Sequence, residues 1–515
     1  MATRELSTQR RSDLLLGGIA LASVLVHLPV LRSYGWFRDE FYYVVCGRHL
    51  DFGYVDHPPF VALVARLVTS IFGDSLAALR MVAVLTGAAV IYLSGRIARE
   101  LGGGLFAQGL AALCALIAPV YLYNFHVFTL NAFDVLFWTL GALVVVRILK
   151  TGDPRLWLLF GLIAGLGLQN KHSMLFFGLG VFVGILLTLE RRQLREPWIW
   201  LGGALAILLF LPNVLWEVVH GWPTLEFIRN AEQYKNVSLS PLQFLGEQAL
   251  QMHPLTLPIW LAGLGWYLLS RQGRPFRPLG WIYLTALAVL LTQRSKAYYL
   301  APAYPFLFAA GGTAIEGWLA RLRQPWLQPA LGGSVVLLLV AGGAVTAPLV
   351  LPVLPVEEFV SYQRVLGVQP NSGERHRMGD LPQHFADMQG WPEMVAEVAR
   401  VYRTLTSEEQ ERATIFGQNY GEAGAVNVLG RAYGLPPAIS GHNNYYLWGP
   451  GGEHDVIVII GGDEEDNRAV CVDLRKAGEI RCGHCMPYED RDPVYVCRGL
   501  KMPWQELWPR VKGFG

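Results

Sequence analysis

The sequence predicts a polytopic α-helical membrane protein with a C-terminal extracytoplasmic α/β domain. Three observations lead there. Hydrophobic residues make up 53% of the 515 positions and charged residues only 16%, too apolar a balance for a water-soluble enzyme. From Leu14 to about Leu351 the apolar residues fall in blocks roughly 16 to 23 residues long, the length that crosses a bilayer as a helix. Beyond them the chain turns polar and carries short strand-like and helical patterns.

The blocks place spans at roughly 13–31, 76–95, 105–123, 131–149, 156–170, 173–189, 198–216, 254–270, 279–293, 302–320 and 330–350, about 11 transmembrane helices. Cytoplasmic loops retain Lys and Arg, so the basic residues set the orientation. With the N-terminus inside, the inner segments hold Arg4, Arg10 and Arg11, then Arg96 and Arg99, then Arg147, Lys150 and Arg155. They continue with Arg191, Arg192 and Arg195, then Arg271, Arg274 and Arg277, then Arg321 and Arg323. The short outer connections hold far fewer. An odd span number places the tail outside. The first span lacks a following small-residue cleavage site and is expected to act as its own insertion signal in the cell (inner or plasma) membrane. A net charge of +2, already accounted for by topology, argues against nucleic acid as a partner.

The expected domains are therefore a helical core over 1–351 and an α/β domain over 352–515. In the tail, "WPEMVAEVARVYRTL" has helical apolar spacing, "ATIFGQNYGEAGAVNVLGRAYG" reads as strand, turn and helix, and "HDVIVIIGG" reads as a buried strand. Gly417, Gly421 and Gly424 do not form a dinucleotide fingerprint.

Of six cysteines, Cys114 lies in a span and Cys46 in the first outer loop. Cys471, Cys482, Cys485 and Cys497 share the tail stretch "CVDLRKAGEIRCGHCMPYEDRDPVYVC". An oxidising compartment and an even count favour two disulfides. A tetrahedral zinc site of four thiolates is the alternative.

Polar residues gather at the outer ends of the spans. "WFRDEFYYVVCGRHLDFGYVDHPPF" follows the first span and brings Arg38, Asp39, Glu40, Asp56 and His57. "YNFHVFTLNAFDVLFW" brings His126, Asn131 and Asp134; "LQNKHS" brings Lys171; "TQRSKAYYLAPAYP" brings Arg294, Lys296, Tyr298 and Tyr299. Ionisable groups near hydrocarbon are costly, so their convergence on one side marks a site. Each also has a plainer role: an interfacial Arg38–Asp39 pair, a helix cap at Asp134, an aromatic belt at Tyr298 and Tyr299.

These motifs, in order and sidedness over about residues 10–350, resemble glycosyltransferase family 39. That group of the GT-C membrane fold includes protein O-mannosyltransferases and the transferase that adds aminoarabinose to lipid A. The resemblance implies a GT-C-like core that takes a sugar from a polyprenyl-phosphate carrier and passes it to an extracytoplasmic hydroxyl or phosphate on a glycan, lipid or protein. It implies that Asp39 is the catalytic base or acceptor-orienting carboxylate, that Glu40 supports it and that Asp134 is the second acidic position. His57 stands where the lipid A enzyme has a Lys that contacts the donor phosphate, a departure that replaces a full charge with one neutral donor.

The chemistry of the residues is consistent with that transfer. An attacking hydroxyl must lose a proton, which a carboxylate accepts. The departing phosphate gathers charge that Arg294 and Lys296 can offset, beside Tyr298 and Tyr299. Arg38, Asp56, His126, Asn131 and Lys171 are expected to line the site. The lipid-linked sugar is a co-substrate, a divalent metal is an open requirement, membrane lipids surround the core, and the sequence carries no signal for an oligomeric state. Two other classes compete: a polyprenyl-lipid transporter or flippase, which would favour internal repeats that these spans lack, and a non-catalytic lipid-binding protein.

Overall fold

The computed structural model describes residues 2–293 and 295–515. The apolar blocks form helices, as expected, and the tail forms a small sheet domain. Among the described residues six helices are long and apolar enough to cross a membrane: Gln9–Val30, Leu76–Glu100, Leu130–Thr151, Pro197–Val219, Arg274–Thr292 and Leu327–Leu349. A seventh results if Met174–Leu186 and Leu189–Arg195, bent by 111°, make one broken span. The other expected spans are shorter helices: Leu105–Ile117, Leu156–Leu168, Pro254–Leu269 and Tyr304–Leu319. Proline shortens two of them. The block 105–123 breaks at Ala118, which is extended ahead of Pro119 (ψ 120°), and the helix resumes as Pro119–Asn124. The block 302–320 opens instead with the 3-10 turn Ala297–Ala303, which contains Pro302.

The chain divides into two compact units. The first comprises the residues up to Leu31, Ala77–Val214 and Ser238–Leu354; the second comprises Arg32–Leu76, Leu215–Val237 and Pro355–Gly515. The expected boundary at 351/352 thus falls after Leu354, and two segments assigned by sequence to the helical core belong with the tail.

In the first unit, Leu257–Leu269 packs along Tyr304–Leu319, which also packs on Leu105–Ile117. Small residues permit this: a Cβ on Gly263 would strike the Leu307 carbonyl, and one on Gly311 the Ile259 carbonyl. Close backbone approach of this kind is how helices associate where lipid removes the hydrophobic drive between them. Leu130–Thr151 is buried along most of its length. Ile207, Leu208, Leu337 and Leu338 stay exposed, an outward apolar surface suited to hydrocarbon.

The second unit is built on five strands: β1 (Ala413–Gly417), β2 (Ala438–Ile439), β3 (Val456–Ile460), β4 (Cys471–Glu479) and β5 (Pro493–Leu500). Their order is β2-β1-β3-β5-β4. The first three are parallel, and β5 runs antiparallel to β3 and β4. All of β3 (VIVII) is buried, as a central strand covered on both faces requires. One face packs Ile457, Ile459, Leu474 and Tyr495 against Trp504, Leu507 and Trp508. The helix Trp391–Tyr402 packs on β3, β4 and β5, and Tyr420–Leu429 packs on β1 and β2.

The helix Arg38–Arg48, directly after the first span, is part of this unit. It is buried from Glu40 to Gly47 and packs on Tyr420–Leu429. The contact is close at two glycines, where a Cβ on Gly421 would meet the Arg38 side chain and one on Gly424 would meet Phe41. The motif that follows the first span is therefore a core helix of the α/β unit.

Candidate functional site

Two groups of predicted residues are assembled by the fold, one in each unit. In the second unit, Phe37 opens the helix Arg38–Arg48, and Glu40 closes its first turn by accepting from the Phe37 N–H at 2.8 Å. Glu40 is fully buried and acts as a cap, fixing the direction in which Asp39 leaves the helix. Tyr420 donates its hydroxyl to Asp39 Oδ1 at 2.8 Å. Burial raises the Asp39 pKa, while the Tyr420 hydrogen bond and Arg38 pull it back. Asp39 keeps a partly exposed edge.

Arg38 does not pair with Asp39. Its guanidinium donates to Asp387 at 2.8 Å, to Glu489 at 3.2 Å and to the Tyr488 hydroxyl. Burial pushes the Asp387 carboxyl up to about 6 and the Glu489 carboxyl up to about 7, against the pull of Arg38. Arg38 is thus an internal clamp between the first loop and the tail, and Asp39 is left to Tyr420.

Asp56 accepts from the Tyr42 hydroxyl at 2.9 Å. His57, expected at the donor phosphate, is 1% exposed. Its ring stacks on Tyr54 at 4.7 Å and meets Tyr42 and Tyr43 edge-on. Its Nδ1 lies 2.8 Å from the Pro58 carbonyl and so carries a hydrogen. The structure places His57 as a core ring.

In the first unit, the helix Leu130–Thr151 is capped by Thr129, whose hydroxyl accepts from the Asn131 N–H. Asp134 is therefore not the cap. It lies buried, accepting from Ser173 Oγ at 2.5 Å and pairing with Lys171 at 3.4 Å. Lys171 also donates to Asn131 Oδ1 at 2.8 Å. The Lys171 ammonium stands 4.6 Å from the Tyr299 ring centre and 5.6 Å from that of Tyr298, within reach of a cation–π attraction. Asn131, Asp134, Lys171, Tyr298 and Tyr299, read from three separate stretches of sequence, thus meet at one place. Lys296 is the half-buried N-cap of the following 3-10 turn. Arg294 lies outside the described residues. His126 faces elsewhere, with Arg80 at 3.3 Å and the His27 ring at 6.3 Å.

Both cysteine pairs are disulfides, Cys471–Cys497 and Cys482–Cys485. Asp490 lies near Cys482 and Cys485, but sulfurs bonded to each other have no thiolate to offer a zinc ion.

Sequence reasoning missed Tyr420, Ser173, Asp387, Tyr488 and Glu489. Ser173 stood inside the quoted "LQNKHS", where a hydroxyl two residues from Lys171 was a usable signal. Tyr420 is 381 residues from Asp39 and had none.

Residues 56–216 match the family model for dolichyl-phosphate-mannose-protein mannosyltransferase. The fold follows the crystal structure of ArnT from Cupriavidus metallidurans bound to undecaprenyl phosphate, with a TM-score of 0.57 at 16% identity over 94% of this chain and 97% of that one. The chain shares the fold of that solved structure. The same fold relates it to the apo oligosaccharyltransferase of Archaeoglobus fulgidus, with a TM-score of 0.52 at 13% identity over 83% of this chain and 64% of that one. Lipid A galacturonosyltransferase RgtD of Rhizobium johnstonii is 22% identical over 299 residues, 56% of this chain. The match spans 62% of that relative's length. A carboxylate held after the first span, in the second unit, and a Lys–Asp pair beside paired tyrosines, in the first, are groups that can handle a proton and a phosphate respectively.

Proposed function

We propose that the chain transfers a sugar from a polyprenyl-phosphate carrier to an extracytoplasmic acceptor of the lipid A class. The observation that carries this reading is Asp39, held through one oxygen by Tyr420 and partly exposed. A carboxylate fixed in this way has its second oxygen available for the acceptor proton, and a pKa raised by burial makes it a stronger base near neutral pH.

In one displacement, the acceptor oxygen forms its bond to the anomeric carbon as its proton passes to Asp39. The bond to the carrier phosphate breaks, and the phosphate leaves with the electron pair. In the first unit, the Lys171 ammonium beside Tyr298 and Tyr299, with Lys296, is cationic charge of the kind that a carrier phosphate takes. Asp134 and Asn131 hold Lys171 in place, which limits the reorganisation the site needs as charge develops. The acceptor class is supported by the likeness to RgtD and the carrier by the likeness to an ArnT bound to undecaprenyl phosphate. The second unit lies on the outer side of the membrane in this reading.

The test is transfer of a labelled sugar from a polyprenyl-phosphate donor to lipid A by the purified full-length protein. Asp39→Asn keeps the size of the side chain and removes the base, so the rate should fall about 10²-fold or more, with membrane insertion unchanged. Transfer at the wild-type rate by Asp39→Asn would overturn the role assigned to this carboxylate.

A further inference from the structure

The connection between β4 and β5, residues 480–492, carries two features. Cys482 and Cys485 are bonded to each other across Gly483 and His484. A few residues on, Tyr488 and Glu489 meet the Arg38 guanidinium. The two features are mechanically tied. The Cys482 N–H donates to Asp490 Oδ1 at 2.9 Å, and the Glu489 N–H donates to the Met486 carbonyl at 2.8 Å. Cys482 and Glu489 also line one small cavity, together with Glu422 and Asp492.

The two disulfides differ in depth of burial. Cys471 and Cys497 are 1% and 0% exposed, within the sheet; Cys482 and Cys485 are 8% and 6% exposed, at the end of the hairpin. Exchange requires an incoming thiolate to reach a sulfur, and a pair of cysteines two residues apart is a spacing that redox dithiols use. The less deeply buried bridge is the one that shapes the loop on which Arg38 depends, and Arg38 adjoins Asp39.

We propose that Cys482–Cys485 is an exchangeable disulfide that sets the grip of Tyr488 and Glu489 on Arg38 and, through it, the placement of Asp39 and the rate of transfer. The proposal rests on the role given to Asp39 above and on the outer placement of the second unit. The co-reactant is an extracytoplasmic protein dithiol. Its thiolate attacks one sulfur of the bridge, forming a mixed disulfide and releasing the other cysteine as a thiolate that takes up a proton; its second thiol then displaces the first cysteine from the mixed disulfide. Two electrons and two protons pass to Cys482 and Cys485, which become thiols as the dithiol becomes a disulfide. The loop then loses its covalent tie and its hold on Arg38 loosens.

The experiment equilibrates the full-length protein in buffers of graded reduced and oxidised dithiothreitol, then splits each sample. One half is alkylated and its cysteines are read by peptide mass spectrometry; the other is assayed for transfer. Cys482 and Cys485 should be alkylated in buffers that leave Cys471 and Cys497 bonded, with transfer falling about tenfold in step and recovering on reoxidation. Tyr488→Phe combined with Glu489→Gln should show the low rate in both redox states, because reduction has nothing left to release. Reduction of both bridges together, transfer that stays flat as Cys482–Cys485 opens, or a further loss in the double variant on reduction would each overturn the proposal. If the oxidised protein transfers no sugar from any polyprenyl donor, the functional assignment fails, and the alkylation pattern still decides whether the bridge exchanges.

Discussion

Tyr420 and Asp39 are joined by a 2.8 Å hydrogen bond across 381 residues of sequence. The hydroxyl belongs to the first turn of the helix Tyr420–Leu429, whose N-terminus is capped by Asn419, and the carboxylate to the first turn of Arg38–Arg48. Each side chain is aimed by a helix start, and the two helices pack on each other. Tyr420 stabilises the ionised form of Asp39 and occupies one of its oxygens.

Tyr420→Phe follows from that geometry. Loss of the donor removes an interaction that lowers the Asp39 pKa, so the pKa rises. A base must be ionised to accept a proton, so the acidic limb of the pH–rate profile should move to higher pH. The rate on the plateau should fall about tenfold as the carboxylate loses its orientation. A variant with an unshifted limb would show that Tyr420 does not act on Asp39.

Lys171 and Lys296 are tested by donor saturation. Lys171→Ala and Lys296→Ala should each raise the KM for the polyprenyl-phosphate sugar about tenfold, with a smaller effect on the acceptor KM. Lys171→Ala also leaves Asp134 buried without its cation, so its thermal melt should be recorded alongside. An unchanged donor KM in a folded variant would remove that lysine from the phosphate.

The clamp around Arg38 predicts a stability that depends on pH. Asp387 and Glu489 have folded pKa values of about 6 and about 7, above the ordinary values near 4. An acid raised in this way holds its proton more tightly when folded. It supports the fold below its unfolded pKa and loses that support as pH rises through the folded value. The full-length protein should therefore melt at a lower temperature as pH is raised from about 4 to 7, and Glu489→Gln should flatten that slope. A slope unchanged by Glu489→Gln would assign the effect to other groups.

The sidedness of the second unit is tested by fusion. Alkaline phosphatase joined after Gly515 should be active, as expected for a tail on the outer side. An inactive phosphatase with an active cytoplasmic reporter at the same point would reverse the orientation and, with it, the proposed compartment of the acceptor.

Much of the architecture was readable along the chain, because its causes are local. Apolar blocks from Leu14 onward specify helices by length and composition, and the "HDVIVIIGG" and "WPEMVAEVARVYRTL" patterns specify a strand and a helix of the tail by their periodicity. The cost of polar groups near hydrocarbon led to the expectation that the outer polar residues gather, but that Asn131, Asp134, Lys171, Tyr298 and Tyr299 are the ones that meet was not legible along the chain. Tertiary structure alone decided the rest. It joined Arg32–Leu76 and Leu215–Val237 to the tail, turned Arg38 from a neighbour of Asp39 into a clamp on Asp387 and Glu489, and took His57 into a core of tyrosines. Those pairings come from side-chain packing between segments hundreds of residues apart. Neither residue of such a pair carries a mark of its partner in its own neighbourhood, since burial and charge pairing exist only once the chain has closed.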